Sequence, residues 1–90
     1  PPVALEVILD RLQSPTEVHA RVPGEAARHL RIDGRVQVAA GPWALEEEWW
    51  QEAPVERDYW DVELAGAGGG LYRIYRDCAT EEWYADGIYD

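Results

Sequence analysis

The side chains best equipped for chemistry are His19, His29 and Cys78. A tetrahedral zinc site takes three or four thiolate or imidazole ligands, usually at short local spacings. Two histidines and one cysteine this scattered in the chain match no such spacing. Cys78 follows Asp77 and precedes an Ala-Thr-Glu-Glu stretch. Neighbouring carboxylates disfavour a thiolate, so a reactive thiol is not expected. Ser14 is the only serine and sits before Pro15, with no Gly-x-Ser-x-Gly around it. Asp61 and Glu63 share one face if their segment is a strand, about 7 Å apart, a separation that inverting glycosidases use. Eighteen acids in the chain make such a pair an ordinary coincidence. The run Gly66-Ala67-Gly68-Gly69-Gly70 lacks the Lys-Ser/Thr of a phosphate loop and lies between strand patterns, so a hairpin connection is expected. Glu46, Glu47 and Glu48 lack the alternating oxygens and central Gly of a calcium loop. No enzyme, metal site or cofactor is expected.

The aromatic residues carry more information. All five Trp and all five Tyr lie after residue 42, and there is no Phe or Met. That exceeds what one side of a thin sheet can bury, so some rings are expected to face solvent or a partner. Exposed Trp and Tyr serve as anchors in protein interfaces and as stacking platforms for single-stranded nucleic acid.

Charge separates those two uses. The net charge is −10, and residues 42–90 hold thirteen acids against Arg57, Arg73 and Arg76, while residues 1–41 are balanced at five against five. There is no Lys. Nucleic-acid affinity leans on Lys and Arg contacts to phosphate. An acidic field instead speeds encounter with a basic protein face, or it simply keeps the surface soluble. One cysteine forms no internal disulfide, and no apolar run is long enough to span a bilayer, which fits a cytoplasmic protein. A chain that opens on Pro1 with no signal-like segment reads as a piece of a longer one or a processed product.

The elements that would position these residues are short strands. Residues 3–12 fit a helix through Leu5, Ile8, Leu9 and Leu12, and a strand through Val3, Leu5, Val7 and Leu9; periodicity does not decide. Residues 1–15 form a leading segment, inside or outside a β-rich domain over residues 16–90. Val18, Ala20 and Val22 alternate with polar residues, and Pro23-Gly24 marks a turn. Ala27–Ile32 reads as a strand, Asp33-Gly34 as a type I′ hairpin turn, and Val36, Val38 and Ala40 as the returning strand closed by Gly41-Pro42. A helical turn would put Leu45 and Trp49 on one side. Trp60, Val62 and Leu64 face inward on the next strand, opposite Tyr59, Asp61 and Glu63; Tyr72 and Ile74 follow, then Trp83 and Ala85, with a hairpin or bulge signal at Asp86-Gly87. The sum is a mostly β fold, a small antiparallel meander or barrel-like sheet of about six short strands.

Gly41-Pro42-Trp43, Glu48-Trp49-Trp50, Arg57-Asp58-Tyr59-Trp60-Asp61-Val62, Gly70 to Asp77 and Glu82 to Asp90 form an ordered series. This series resembles the C-terminal region of the ImuB family, Y-family DNA-polymerase-like accessory proteins of bacterial damage-induced (SOS) mutagenesis. The resemblance covers about residues 34–90 and tips residues 3–9 toward a strand. It implies a part of a hub that lacks polymerase catalysis. Such a hub joins the sliding clamp, an error-prone replicative-type DNA polymerase subunit and an ImuA-type accessory protein during translesion synthesis. The clamp-binding peptide lies upstream in the family, and nothing here matches it. The Glu46–Glu48 run, the length of Gly66–Gly70 and Cys78 depart from the family pattern.

The expected function is therefore a non-catalytic protein-interaction domain of a DNA-repair accessory protein, docking the polymerase, the ImuA-type partner or both. Trp49, Trp50, Tyr59 and Tyr84, opposite the inferred core or in the irregular segment, are the expected anchors. Glu46, Glu47 and Glu48 supply the acidic steering field. Two other readings stay open: a single-stranded nucleic-acid-binding module, and a structural cap that packs on the rest of its own chain.

Overall fold

A computed structural model of the chain describes residues 3–21, 32–47, 55–66 and 70–89. Six strands, β1 (Val3–Leu9), β2 (Pro15–Ala20), β3 (Asp33–Glu47), β4 (Val55–Leu64), β5 (Leu71–Asp77) and β6 (Trp83–Tyr89), follow one another around a closed barrel. Each pairs antiparallel with the next. An even number of alternating strands closes antiparallel as well, and β1 meets β6 through Val3↔Ala85, Ala4↔Tyr84 and Leu5↔Trp83. Among the described residues no helix is long and apolar enough to cross a membrane.

Period-two patterning sets the inward face. Leu5, Val18, Ile32, Trp60, Val62, Leu64, Tyr72, Ile74, Trp83 and Ala85 fill the barrel. In a barrel this narrow, side chains fill the interior, and two Trp and one Tyr are the largest of them. The strand reading of residues 3–9 prevails because Val3, Val7 and Leu9 pack against the cluster that holds Leu5. The leading segment thus contributes the strand that closes the barrel.

Carboxylates build two of the turns. After β1, Asp10 Oδ1 accepts from the amides of Leu12 and Ser14 at 2.8 and 2.9 Å. After β5, Asp77 Oδ1 accepts from those of Ala79 and Thr80 at 2.9 and 3.3 Å. These bonds satisfy amides that the ladder leaves free. The Gly-rich run joins β4 to β5, and the Leu64 amide donates to the Gly70 carbonyl across it at 3.0 Å.

Three local expectations are corrected. Asp33-Gly34 is not a hairpin turn: it opens β3, with Asp33 opposite His19 and Gly34 opposite Val18. Pairing with β2 and a hydrogen bond from His19 Nδ1 to Asp33 Oδ1 outweigh the dipeptide's turn preference. The Pro23-Gly24 turn and most of the Ala27–Ile32 strand lie outside the described residues, while Ile32 is buried in the barrel. Gly41-Pro42, a cis peptide, does not close β3, which runs on to Glu47 with a register shift between Ala40 and Trp43. Leu45 pairs with Arg57 in that extension, so no helical turn forms at Leu45. The Asp86-Gly87 signal corresponds to a bulge, where the β5–β6 register shifts between Arg73 and Ile74.

Candidate protein-docking surface

The outer face of the barrel carries an aromatic row. Trp43 on β3 is in register with Tyr59 on β4, Tyr59 with Tyr75 on β5, and Tyr75 with Tyr84 on β6. Their ring centroids are 6.0, 5.3 and 5.4 Å apart, the first pair stacked and the others tilted. Such cross-strand pairs each add about 0.2–1 kcal/mol to a sheet.

Arg57 covers the middle of the row and Arg73 its Trp43 end. The Arg57 guanidinium lies 4.4 Å from the Tyr75 ring centre, and its Nη1 donates to the Tyr59 hydroxyl at 3.2 Å. That hydrogen bond raises the Arg57 pKa, and burial raises that of Tyr75. Arg73 sits 5.0 Å from the Trp43 ring centre while both carboxylate oxygens of Asp61 accept from it at 3.0 and 3.2 Å. Tyr59 and Tyr75 end up 5 % and 3 % exposed, whereas Trp43 is 38 % exposed.

This corrects the expectation for Tyr59. It lies opposite the barrel core, as its alternation requires, but neighbouring rings and Arg57 bury it. Tyr84 is half-buried at the end of the row. Glu46 and Glu47 are in register with Glu56 and Val55 at the far end of β3. Glu48, Trp49 and Trp50 lie outside the described residues.

A different part of β3 is open. Its pairing with β2 stops at Arg35, opposite Glu17. From there on, among the described residues, β3 pairs only with β4. Every residue of 37–44 is exposed, Val38 at 54 %. Beside this edge, a cleft of about 380 Å³ opens between the β1–β2 turn and the Gly41-Pro42 bend. Leu9, Leu12, Pro42, Trp60 and Trp83 give it apolar walls, and Asp58 is its acid. Leu12 is 85 % exposed. Arg76, also on the cleft, is bridged to Glu81 at 3.1 Å.

Gly41 allows this bend. A Cβ there would stand 2.7 Å from the Tyr59 carbonyl oxygen and 3.1 Å from the Trp60 ring, and the residue has φ +141°. Sequence reasoning missed the open edge and the cleft because both depend on where β2 stops pairing. The exposed apolar series Val38-Ala39-Ala40 beside Gly41-Pro42 was the available signal.

His29 lies outside the described residues, and the other two groups with potential for other chemistry, Cys78 and His19, are engaged. The Cys78 pKa is raised, first by burial and then by Asp58, a carboxylate on another strand rather than the adjacent Asp77. His19 is held by Asp33, with Glu17 Oε1 3.7 Å from its Nε2, and the Asp33 hydrogen bond raises its pKa. Among the described residues no three His, Cys, Asp or Glu side chains converge as metal ligands would. No protein-family model, curated protein or solved structure significantly matches this chain.

Proposed function

We propose that this chain is a non-catalytic protein-interaction domain of an ImuB-like translesion-synthesis accessory protein working in the cytoplasm. It docks an error-prone replicative-type polymerase subunit, an ImuA-type protein, or both. The observation that carries this reading is the exposed half of β3, where Val38 and Trp43 stand open on the strand whose Gly41-Pro42 bend lines the cleft. Exposed apolar residues gathered beside a concave site are what a docking surface offers. The motif series behind the family resemblance runs through this half: Gly41-Pro42-Trp43 forms the bend, and Arg57–Val62 lies directly behind it on β4.

The charge pattern supports a protein over nucleic acid as the ligand. Arg57 is bound to Tyr59, Arg73 to Asp61 and Arg76 to Glu81, so all three arginines of the aromatic half already have acceptors. Titration calorimetry of the 90-residue chain against the polymerase subunit and, separately, the ImuA-type protein tests the reading. Micromolar or tighter binding to either is expected. Binding to neither by a folded sample would overturn it in favour of the structural cap. Tight, salt-dependent binding to a short single-stranded oligonucleotide would favour the nucleic-acid module.

A further inference from the structure

We propose that the open edge of β3 over residues 37–44 receives an extended basic segment of a protein partner as an added strand, one of whose apolar side chains enters the adjoining cleft. This rests on the docking reading above and specifies its surface and the chemistry of its partner.

Backbone chemistry makes the edge a template. A strand paired on one side presents a row of amide and carbonyl groups to any extended chain laid along it. Closed barrels normally remove such rows. Here β2 leaves β3 after Arg35, and β3 continues for twelve more residues, Val36 to Glu47, paired with β4 alone among the described residues. Pro42 lacks an amide, so the hydrogen-bonded part of an added strand lies mainly along Gln37–Gly41.

Charge selects the occupant. Directly behind the edge, β4 carries Glu56, Asp58, Asp61 and Glu63, in register with Glu46, Ala44, Ala40 and Val38. Arg57 is the only base on that strand. An added strand would lie two strand spacings, about 9.6 Å, from β4. Between them β3 presents Ala39, Ala40, Gly41 and Ala44, small residues over which a Lys or Arg side chain can reach toward Asp58 or Glu63. A second copy of this chain fits poorly, because each copy brings a net charge of −10 and no Lys. The cleft adds apolar specificity: Trp60 and Trp83 line it, and Leu12 at its mouth is open to be covered.

The test uses the isotope-labelled 90-residue chain and three capped heptapeptides. One alternates Lys or Arg with Val and Trp, the second replaces every base with Glu, and the third is the basic peptide N-methylated at alternate amides. The basic peptide is expected to shift the amide resonances of 37–41 and the indole signals of Trp60 and Trp83. N-methylation should weaken it at least about tenfold, the loss of a few edge hydrogen bonds. Leu12→Ser, at a site too exposed to affect folding, should weaken it about three- to tenfold. Equal binding of the acidic peptide, shifts scattered over the acidic surface without the β3 edge, or indifference to N-methylation would each overturn the proposal. So would concentration-dependent dimerisation that produces the same edge shifts without peptide. If the polymerase or ImuA-type protein binds and Leu12→Ser and Val38→Asp leave that affinity unchanged, the edge assignment fails while the docking function stands.

Discussion

β3 and β4 are paired neighbours, yet they are treated in opposite ways by the rest of the molecule. β4 is paired along both edges and holds buried side chains on both faces. Trp60, Val62 and Leu64 fill the barrel, while Tyr59 on the outside lies among Trp43, Tyr75 and Arg57. Among the described residues β3 beyond Arg35 has one partner strand, and residues 37–44 are exposed throughout. Both strands have the alternation and the apolar residues of a good β-strand. The difference comes from neighbours: β5 and the aromatic row cover β4, and β2 ends its pairing too early to cover β3.

The same substitution on the two strands should give the widest contrast. Val62 is fully buried and Val38 is 54 % exposed. Val62→Ala should cost about 2–3 kcal/mol, the transfer of two methyl groups plus part of a cavity. Val38→Ala should cost less than about 0.5 kcal/mol. Urea unfolding followed by Trp fluorescence measures both, and equal costs would show that something covers β3.

Gly41→Ala attacks the bend that carries β3 along β4. With a Cβ only 2.7 Å from the Tyr59 carbonyl oxygen and φ +141°, about 1–3 kcal/mol of destabilisation is expected. An unchanged unfolding midpoint would mean that the close approach at Tyr59 does not hold the strand.

The aromatic row offers a smaller effect. Tyr59→Phe keeps the ring and removes the hydroxyl that accepts from Arg57 at 3.2 Å. A loss of about 0.5–1.5 kcal/mol is expected, as for one largely buried hydrogen bond. Trp43→Phe on the open strand should cost less, and the reverse order in thermal unfolding would place the protected surface on β3.

The smallest effect concerns the clip at the paired end of β3. His19 has its pKa raised by the hydrogen bond to Asp33, with Glu17 and Glu6 adding to it. A group with a raised folded pKa stabilises fully below its unfolded pKa, about 6.5 for His, and loses that contribution as pH rises through the folded value. The pair is exposed, so a wild-type advantage over His19→Gln of about 1–4 °C in Tm is expected at pH 5.5 and little at pH 8.5. A constant difference across that range would mean that protonation of His19 does not stabilise this end of β3.

Much of the barrel was legible in the residues. Alternation puts Trp60, Val62 and Leu64 on one face of their strand, Tyr72 with Ile74 on one face of the next and Trp83 with Ala85 on one face of the last, and in the barrel all seven are inward. The Gly-rich connection and the turn after Asp77 were readable because their backbone needs are local. Asp33-Gly34 misled because a dipeptide's turn preference is small beside sheet pairing with β2. The candidate site was much less legible. Tyr84 stands on the outer row and Tyr59 lies buried within it, while the open edge and the cleft escaped notice.

The sequence by itself determined the strand-rich class, the inward faces, the acid excess of residues 42–90 and the gathering of the aromatics there, since each follows from residue type and a period of two. Only the tertiary structure decided that β1 closes the barrel, that Arg57 covers Tyr59 and Tyr75, and that β3 beyond Arg35 pairs only with β4 among the described residues. Pairing partners and the length of their overlap depend on contacts between distant segments, and no local pattern records where one strand stops and its neighbour continues.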